Sequence, residues 1–266
     1  MKKNNIKTLV LRTAGTNCDK ETLYAFKLAG SQVDLLHVNE LIKKKEILKE
    51  YHIFVIPGGF SYGDDIASGK VLANEIKFNL KDRLSKFVMD GKLVLGICNG
   101  FQVLVKMGFL PNIDNKFNKI ESTLSLNNSG KFDVRWVYLK KENNSKCIWT
   151  KNLPETIYLP IAHAEGKFIP KNNNVLKILH NNQHIVFYYS DKNGNKDFEF
   201  NPNGSIDNIA GICDSTGRIL GMMPHPERHI TYLQHPNWRR ENIRNKSMGI
   251  GLEIFKTGVN FIKNNK

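Results

Sequence analysis

A short apolar run, residues 92–95, leads without a break into Gly96-Ile97-Cys98-Asn99-Gly100 and then into a helix-like stretch, 101–107. A strand that turns directly into a helix sends that helix back along its own sheet, which is the unit from which parallel α/β sheets are built. Glycines at 96 and 100 permit a sharp turn that lifts the side chain between them clear of its neighbours. The helix start adds unpaired N–H groups and the positive end of the dipole. A thiol placed there, with an ordinary pKa of about 8.5, has what its anion needs to form. Cys98 is therefore a candidate nucleophile, the alternative being a small residue packed among glycines.

The same unit recurs. Residues 7–11 are apolar and precede Gly15-Thr16-Asn17 and an amphipathic helix through Leu28, with Asn17 or Asp19 as its N-cap and Gly30 beyond its end. Residues 33–38 and 53–56 repeat the strand, the latter before Pro57-Gly58-Gly59. Strands alternating with helices predict a parallel sheet with its site on loops at the strand C-termini. Leu72, Ile76, Leu80, Leu84, Phe87 and Val88 form one apolar helical face ending at Gly91, a core stripe. Residues 111–130 are polar and predict a loop. The alternating run 132–139 and the short runs 156–161, 185–189, 209–213 and 219–223, separated by turns rather than helices, predict added antiparallel strands. Met248, Leu252, Phe255, Val259 and Ile262 predict a closing helix. The expectation is one α/β domain over residues 1–266, a mostly parallel central sheet flanked by helices with antiparallel strands in the C-terminal half.

A second constellation, Met223-Pro224-His225-Pro226-Glu227-Arg228, closes the run that begins at 219. Side chains two apart on an extended segment share a face, and the flanking prolines stiffen it. As a lone motif this is a surface turn; beside a cysteine elbow it supplies a base, His225, and a carboxylate to orient it, Glu227. Gly58-Gly59 lets backbone N–H groups approach an anion without Cβ interference and leaves a peptide able to flip, or is an ordinary tight turn.

Other features exclude functions. Cys18, Cys98, Cys147 and Cys213 stand far apart with no C-x-x-C pair, which predicts neither disulfide framework nor zinc site, and a reducing cytoplasm. Cys18 lies on a loop of the site but has no glycine elbow, so a packed thiol is expected. His163 and Glu165 lack a third metal ligand at a usual spacing. No stretch approaches the ~20 apolar residues a bilayer needs, and no signal-length run follows the N-terminus, so no membrane partner is expected. The formal charge of +14, from 39 Lys and Arg against 25 Asp and Glu, raises nucleic acid as a partner. The lysines are scattered among asparagines rather than patched, and no nucleic-acid partner is expected. No P-loop is present.

Gly96-Ile97-Cys98-Asn99-Gly100-Phe101-Gln102 resembles the nucleophile motif of class I (triad) glutamine amidotransferases, which implies a flavodoxin-like α/β fold. Residues 57–64, 96–104, 162–166, 201–205 and 221–228 are similar, in order, to the glutaminase subunits of phosphoribosylformylglycinamidine synthases. The resemblance runs from the Gly15-Thr16-Asn17-Cys18-Asp19 loop to the C-terminal helix. It implies Cys98 as nucleophile, His225 as base and Glu227 as orienter. It also implies an oxyanion hole of the Gly59 and Asn99 N–H groups, and L-glutamine contacts at Gly58 and Gln102. No cofactor or metal is implied in this chain. ATP and Mg would be handled by a large synthase subunit, bridged by a small third subunit, that converts formylglycinamide ribonucleotide to the amidine. Residues 65–70 depart from the family's usual form, and Ala162-His163-Ala164-Glu165-Gly166 is a signature to which no chemical role is attached. Residues 228–245 interleave basic and aromatic side chains and are expected to dock the synthase, a nucleic-acid contact or a solvated loop being the alternatives. A glutaminase for another acceptor and a stand-alone cysteine hydrolase also stay open.

Overall fold

In the computed structural model, which describes residues 6–240 and 248–265, β1 (Lys7–Arg12) lies between β2 (Gln32–His37) and β3 (Ile53–Ile56), parallel to both. β3 pairs in parallel with β4 (Leu93–Ile97), and β4 with the distant β11 (Ile219–Met222). The five parallel strands thus run 2-1-3-4-11, the flavodoxin-like order. β3, β4 and β11 carry no polar side chain and are buried throughout, because both their faces are covered, whereas β2 at the edge is partly exposed. Chain order reverses between β1 and β3, so right-handed crossovers put α1 (Asp19–Leu28) on one face and α3 (Lys70–Met89) and α4 (Asn99–Met107) on the other. The closing helix α6 (Leu252–Asn264) joins α1, with Phe255 edge-on to Phe26 at 4.9 Å. A short α2 (Val38–Lys43) follows β2.

Beyond β11 the sheet continues antiparallel through β10 (Ile209–Cys213), β9 (Ile185–Ser190), β6 (Asp133–Lys141) and β7 (Thr156–His163), nine strands in all. The predicted class holds, with β11 itself belonging to the parallel part. Although β7 is last in the order, His225 N–H donates to Pro160 O at 2.8 Å, so the antiparallel end curls back over the C-terminal ends of β4 and β11.

Several boundaries differ from expectation. β4 runs on through Ile97 and α4 starts at Asn99, which leaves Cys98 as the whole turn. Residues 111–130 contain β5 (Ser122–Ser125), paired with β8 (Lys167–Pro170). A fifth helix, α5 (Asn173–Asn181), lies where turns were expected; Asn172 caps it by accepting from Val175 N–H at 3.0 Å, and Val175 and Leu179 are its buried face. Neither Asn17 nor Asp19 caps α1: Cys18 occupies that position, while the Asp19 carboxylate stands 3.5 Å from Arg12. Met248 lies outside α6 and bridges to Thr231.

Two buried imidazoles are held neutral by the fold. His184 donates from Nδ1 to Cys213 O at 2.9 Å, and burial pushes its pKa down to about 4; burial does the same to His163. An unfolded histidine titrates near 6.5, so the folded chain binds fewer protons between about pH 6.5 and 4, and stability falls as pH drops through that window. His184→Asn keeps a donor for Cys213 O and removes the titration. Its thermal midpoint is expected to fall less than the parent's between pH 6.5 and 4.5, measured by circular dichroism; equal slopes would show that His184 does not titrate there.

Candidate active site

The site forms because two strands distant in sequence are parallel neighbours. Met222 pairs with Ile97, and Cys98 N–H donates to Met222 O at 2.8 Å, so the residues leaving β11 emerge beside the β4–α4 turn. Cys98 has φ 50° and ψ −106°, a strained conformation for a residue with a side chain. The close fit below it explains the motif glycine. A Cβ on Gly100 would stand 1.8 Å from Ile56 O, so only glycine lets α4 start against β3.

His225 and Glu227 are both buried, with Nδ1 2.6 Å from Glu227 Oε1. Burial opposes charge on the ring, but Glu227 and the thiols of Cys98 and Cys18 outweigh it and hold His225 well above the ordinary imidazole range. A ring so placed takes a proton readily from a thiol beside it. Cys98, His225 and Gly59 line one cavity of about 330 Å³, together with Asn17, Cys18, Phe60, Phe132, Val134, Ala162 and Arg228. The Cys98 thiol lies 3.5 Å from Ala162 O.

Gly59 has φ +146°, and the bonds fixing its loop leave its own N–H out: Cys18 N–H donates to Gly58 O, and Phe60 N–H to Gly15 O. A flip of the Gly58–Gly59 peptide therefore breaks the Cys18 bond. Asn99, first residue of α4, has an N–H with no carbonyl a turn earlier to receive it. Its side chain ties the two loops together, accepting from Ser61 N–H at 3.2 Å and donating to Asp64 Oδ1 at 3.0 Å.

Gln102 stands outside the cavity lining. Its amide donates to Glu165 O at 2.7 Å and accepts from Asn99 at 3.0 Å, so it holds the 162–166 loop against α4. The Glu165 carboxylate accepts from Ser68 N–H at 3.2 Å, and Lys106 Nζ caps Ser68 O at 2.7 Å. Burial lowers the Lys106 pKa and raises that of Asp64. The signature whose role was open in the sequence, and the divergent segment 65–70, thus brace each other. His163 holds this loop differently: its ring donates from Nδ1 to Asn127 Oδ1 at 3.1 Å. It belongs to no metal-ligand set; among the described residues the one such group is Cys18, His225 and Glu227.

Residues the sequence did not single out are Cys18 and Arg228 as partners of the base. Cys18 Sγ lies 4.0 Å from His225 Nδ1 and receives Arg228 Nη2 at 3.1 Å, while Arg228 Nε bonds Glu21 at 3.1 Å. Burial pushes the Cys18 thiol up, Glu227 adds to this, and His225 and Arg228 pull against it. Arg228, adjoining Glu227, was the available signal.

Residues 5–262 match the CobB/CobQ-like glutamine amidotransferase domain. A phosphoribosylformylglycinamidine synthase subunit PurQ from Dehalococcoides mccartyi is 46% identical over 98% of this chain and 99% of its own. The chain belongs to the PurQ family. A second relative of that name, from Methanococcus maripaludis, is 42% identical over 97% of this chain and 95% of its own. Among solved structures, a chain of PurLQS from Thermotoga maritima is similar with a TM-score of 0.72 and 29% identity, covering 97% of this chain and 99% of that one. That likeness extends over nearly the whole of the architecture described above.

Gly58 gives a direct check of the geometry around the base, since a Cβ there would stand 2.7 Å from His225 Cε1. Gly58→Ala is expected to slow iodoacetamide alkylation of Cys98 by about 10²-fold, the scale of an ångström's misplacement of a reacting group. The thermal midpoint should change little. Mass mapping of the labelled peptide reads the rate, and an unchanged rate would show that Gly58 does not position the ring.

Proposed function

We propose that this chain is the glutaminase subunit of a phosphoribosylformylglycinamidine synthase in purine biosynthesis. The observation that carries this is the strained Cys98 turn beside the buried His225–Glu227 pair in one cavity, in a chain of the PurQ family. Cys98 attacks the side-chain amide carbon of L-glutamine, and the Gly59 and Asn99 N–H groups receive the oxyanion. His225 passes the thiol's proton to departing ammonia, then activates water against the glutamyl thioester, releasing glutamate. Glu227 holds the ring throughout, and Gly58 leaves room for it. Gln102 acts through the 162–166 loop.

Ammonia then passes to a synthase subunit, which uses ATP and Mg to convert formylglycinamide ribonucleotide to the amidine; this chain needs no cofactor of its own. A small third subunit bridges the two, a composition supported by the likeness to the PurLQS structure. Among the described residues no helix is long and apolar enough to cross a membrane, in keeping with a cytoplasmic complex. Phe60, Phe132 and Val134 are exposed at the cavity wall, and Ile66 is exposed on the braced segment, an apolar rim suited to the synthase. The segment 228–245 is the other docking candidate, of which 241–247 lie outside the described residues.

Cys98→Ser is expected to lower glutamine-dependent synthesis by the reconstituted complex more than about 10³-fold while ammonia-dependent synthesis survives. Loss of both would indicate a failed assembly, and glutamine turnover near that of the parent would remove Cys98 as nucleophile. The glutamine analogue 6-diazo-5-oxo-norleucine should alkylate Cys98 and spare Cys18, Cys147 and Cys213, read by peptide mass mapping. Labelling of Cys18 instead would move the nucleophile across the cavity.

A further inference from the structure

The thiol of Cys18 has no task in the chemistry above, yet it is buried against the far side of the base. Packing accounts for a small buried side chain there. It does not account for the second oxygen of Glu227, which is buried and has no hydrogen-bond partner among the described residues. The ligand atoms of Cys18, His225 and Glu227 all lie within 4.8 Å of one another, and the cavity reaches both Cys18 and His225.

We infer that Cys18 Sγ, His225 Nδ1 and Glu227 Oε2 form an inhibitory site for a thiophilic divalent cation such as Zn²⁺. The inference builds on the roles given to His225 and Glu227 above. Zinc binds sulfur at about 2.3 Å and nitrogen or oxygen at about 2.0–2.2 Å, which sets tetrahedral ligands roughly 3.3–3.7 Å apart. The Cys18 Sγ to His225 Nδ1 separation of 4.0 Å needs a closure of a few tenths of an ångström. Nδ1 and Oε1, at 2.6 Å, are too close to ligate together, which leaves the unpartnered Oε2 as the third donor. A fourth position opens to water in the cavity. One thiolate, one imidazole and one carboxylate favour zinc or cobalt over magnesium or calcium.

Occupancy stops catalysis without touching Cys98. Starting from the imidazolium, with a proton on each ring nitrogen, the ion replaces the thiol proton of Cys18 and the Nδ1 proton of His225, and both protons leave to solvent. The ring then keeps its remaining proton on Nε2, so it has no lone pair to offer the nucleophile. It also loses its bond to Glu227 Oε1. Arg228 opposes the cation, since its Nη2 sits 3.1 Å from Cys18 Sγ. Its Nε is already anchored on Glu21 at 3.1 Å, which gives the guanidinium a place to withdraw to. Arg228 thus sets how much metal is needed.

Because Cys98 is itself a thiol beside His225, the test begins by removing it. Co²⁺ titrated anaerobically into the full-length Cys98→Ala chain is expected to give one tetrahedral cobalt per chain with a thiolate-to-cobalt charge-transfer band. The Cys18→Ser/Cys98→Ala chain should lose that band. Circular dichroism establishes that both are folded. No charge-transfer band in the first chain, or a band that persists in the second, would overturn the site. Zn²⁺ should inhibit glutamine hydrolysis by the assembled complex, reversibly with a chelator, and Cys18→Ser should raise the inhibiting concentration at least about 10-fold. An unchanged concentration would show that zinc acts at Cys98. If the complex hydrolyses no glutamine, the proposed function fails, while the cobalt spectrum still decides the metal site.

Discussion

The bond from Cys98 N–H to Met222 O joins the ends of two parallel strands whose residues are more than a hundred positions apart, and the site has no other way to exist. One residue past the last pair on β4 stands Cys98, the proposed nucleophile; three past it on β11 stands His225, the proposed base. The pairing is nonlocal, so its loop-closure cost is met by the long-range core on both faces rather than by any local preference. A one-residue slip of β11 would turn His225 to the other face of its segment, away from Cys98. Register is held by apolar residues buried on both sides, Ile219 to Met222 against Val94 to Ile97.

Around this pairing the molecule is arranged to keep strained and charged groups in place. Cys98 cannot relax its positive φ, because Gly100 is pressed against Ile56 O and the helix that starts at Asn99 is packed on β3. The Asn99 side chain then couples the helix start to the 58–64 loop, and Gln102, one turn on, couples it to Glu165. An unsatisfied buried amide costs about 1–3 kcal/mol, so each of these two residues carries a penalty for leaving its loop. The antiparallel end of the sheet contributes by curling over the site, where Pro160 O receives His225 N–H and Ala162 O faces the thiol. The proposed catalytic constellation therefore rests on four separate parts of the chain, residues 56–64, 97–102, 160–165 and 222–227.

How much of this was legible varied with how local the cause was. The α3 stripe could be read because its six apolar residues repeat at helical spacing, and all six are buried. The Cys98 turn was visible because glycines and a helix start are adjacent in sequence, although the single-residue elbow required the packing against β3. The helix α5 was obscured by its asparagines, which read as turn; Asn172 with Val175 and Leu179 was a cap and an apolar face in plain order. Gln102 was assigned a glutamine contact through resemblance, and only the fold reveals that its amide also bonds Glu165 O and Asn99. The environment of Cys18 had only one trace in the sequence, the place of Arg228 beside Glu227, since its neighbours His225 and Arg228 arrive from some two hundred residues away.

The electrostatics of the site follow from the same geometry. A fully buried imidazole loses the water that would stabilise its charge, as His163 and His184 do, and both are depressed to about 4. His225 is as deeply buried and goes the other way, because Glu227 and two thiols face it. Sequence distance does not separate these cases: each is a histidine near short strands and turns. What separates them is the partner. Asn127 and a backbone carbonyl can orient a neutral ring, whereas a buried carboxylate bonded directly to the ring makes the imidazole take up charge. A buried carboxylate with one oxygen unbonded is costly in isolation, so its retention against His225 points to chemistry rather than to stability. The fold thus silences His163 and His184 by burial and raises His225 through its neighbours, and β11 delivers that raised ring beside Cys98.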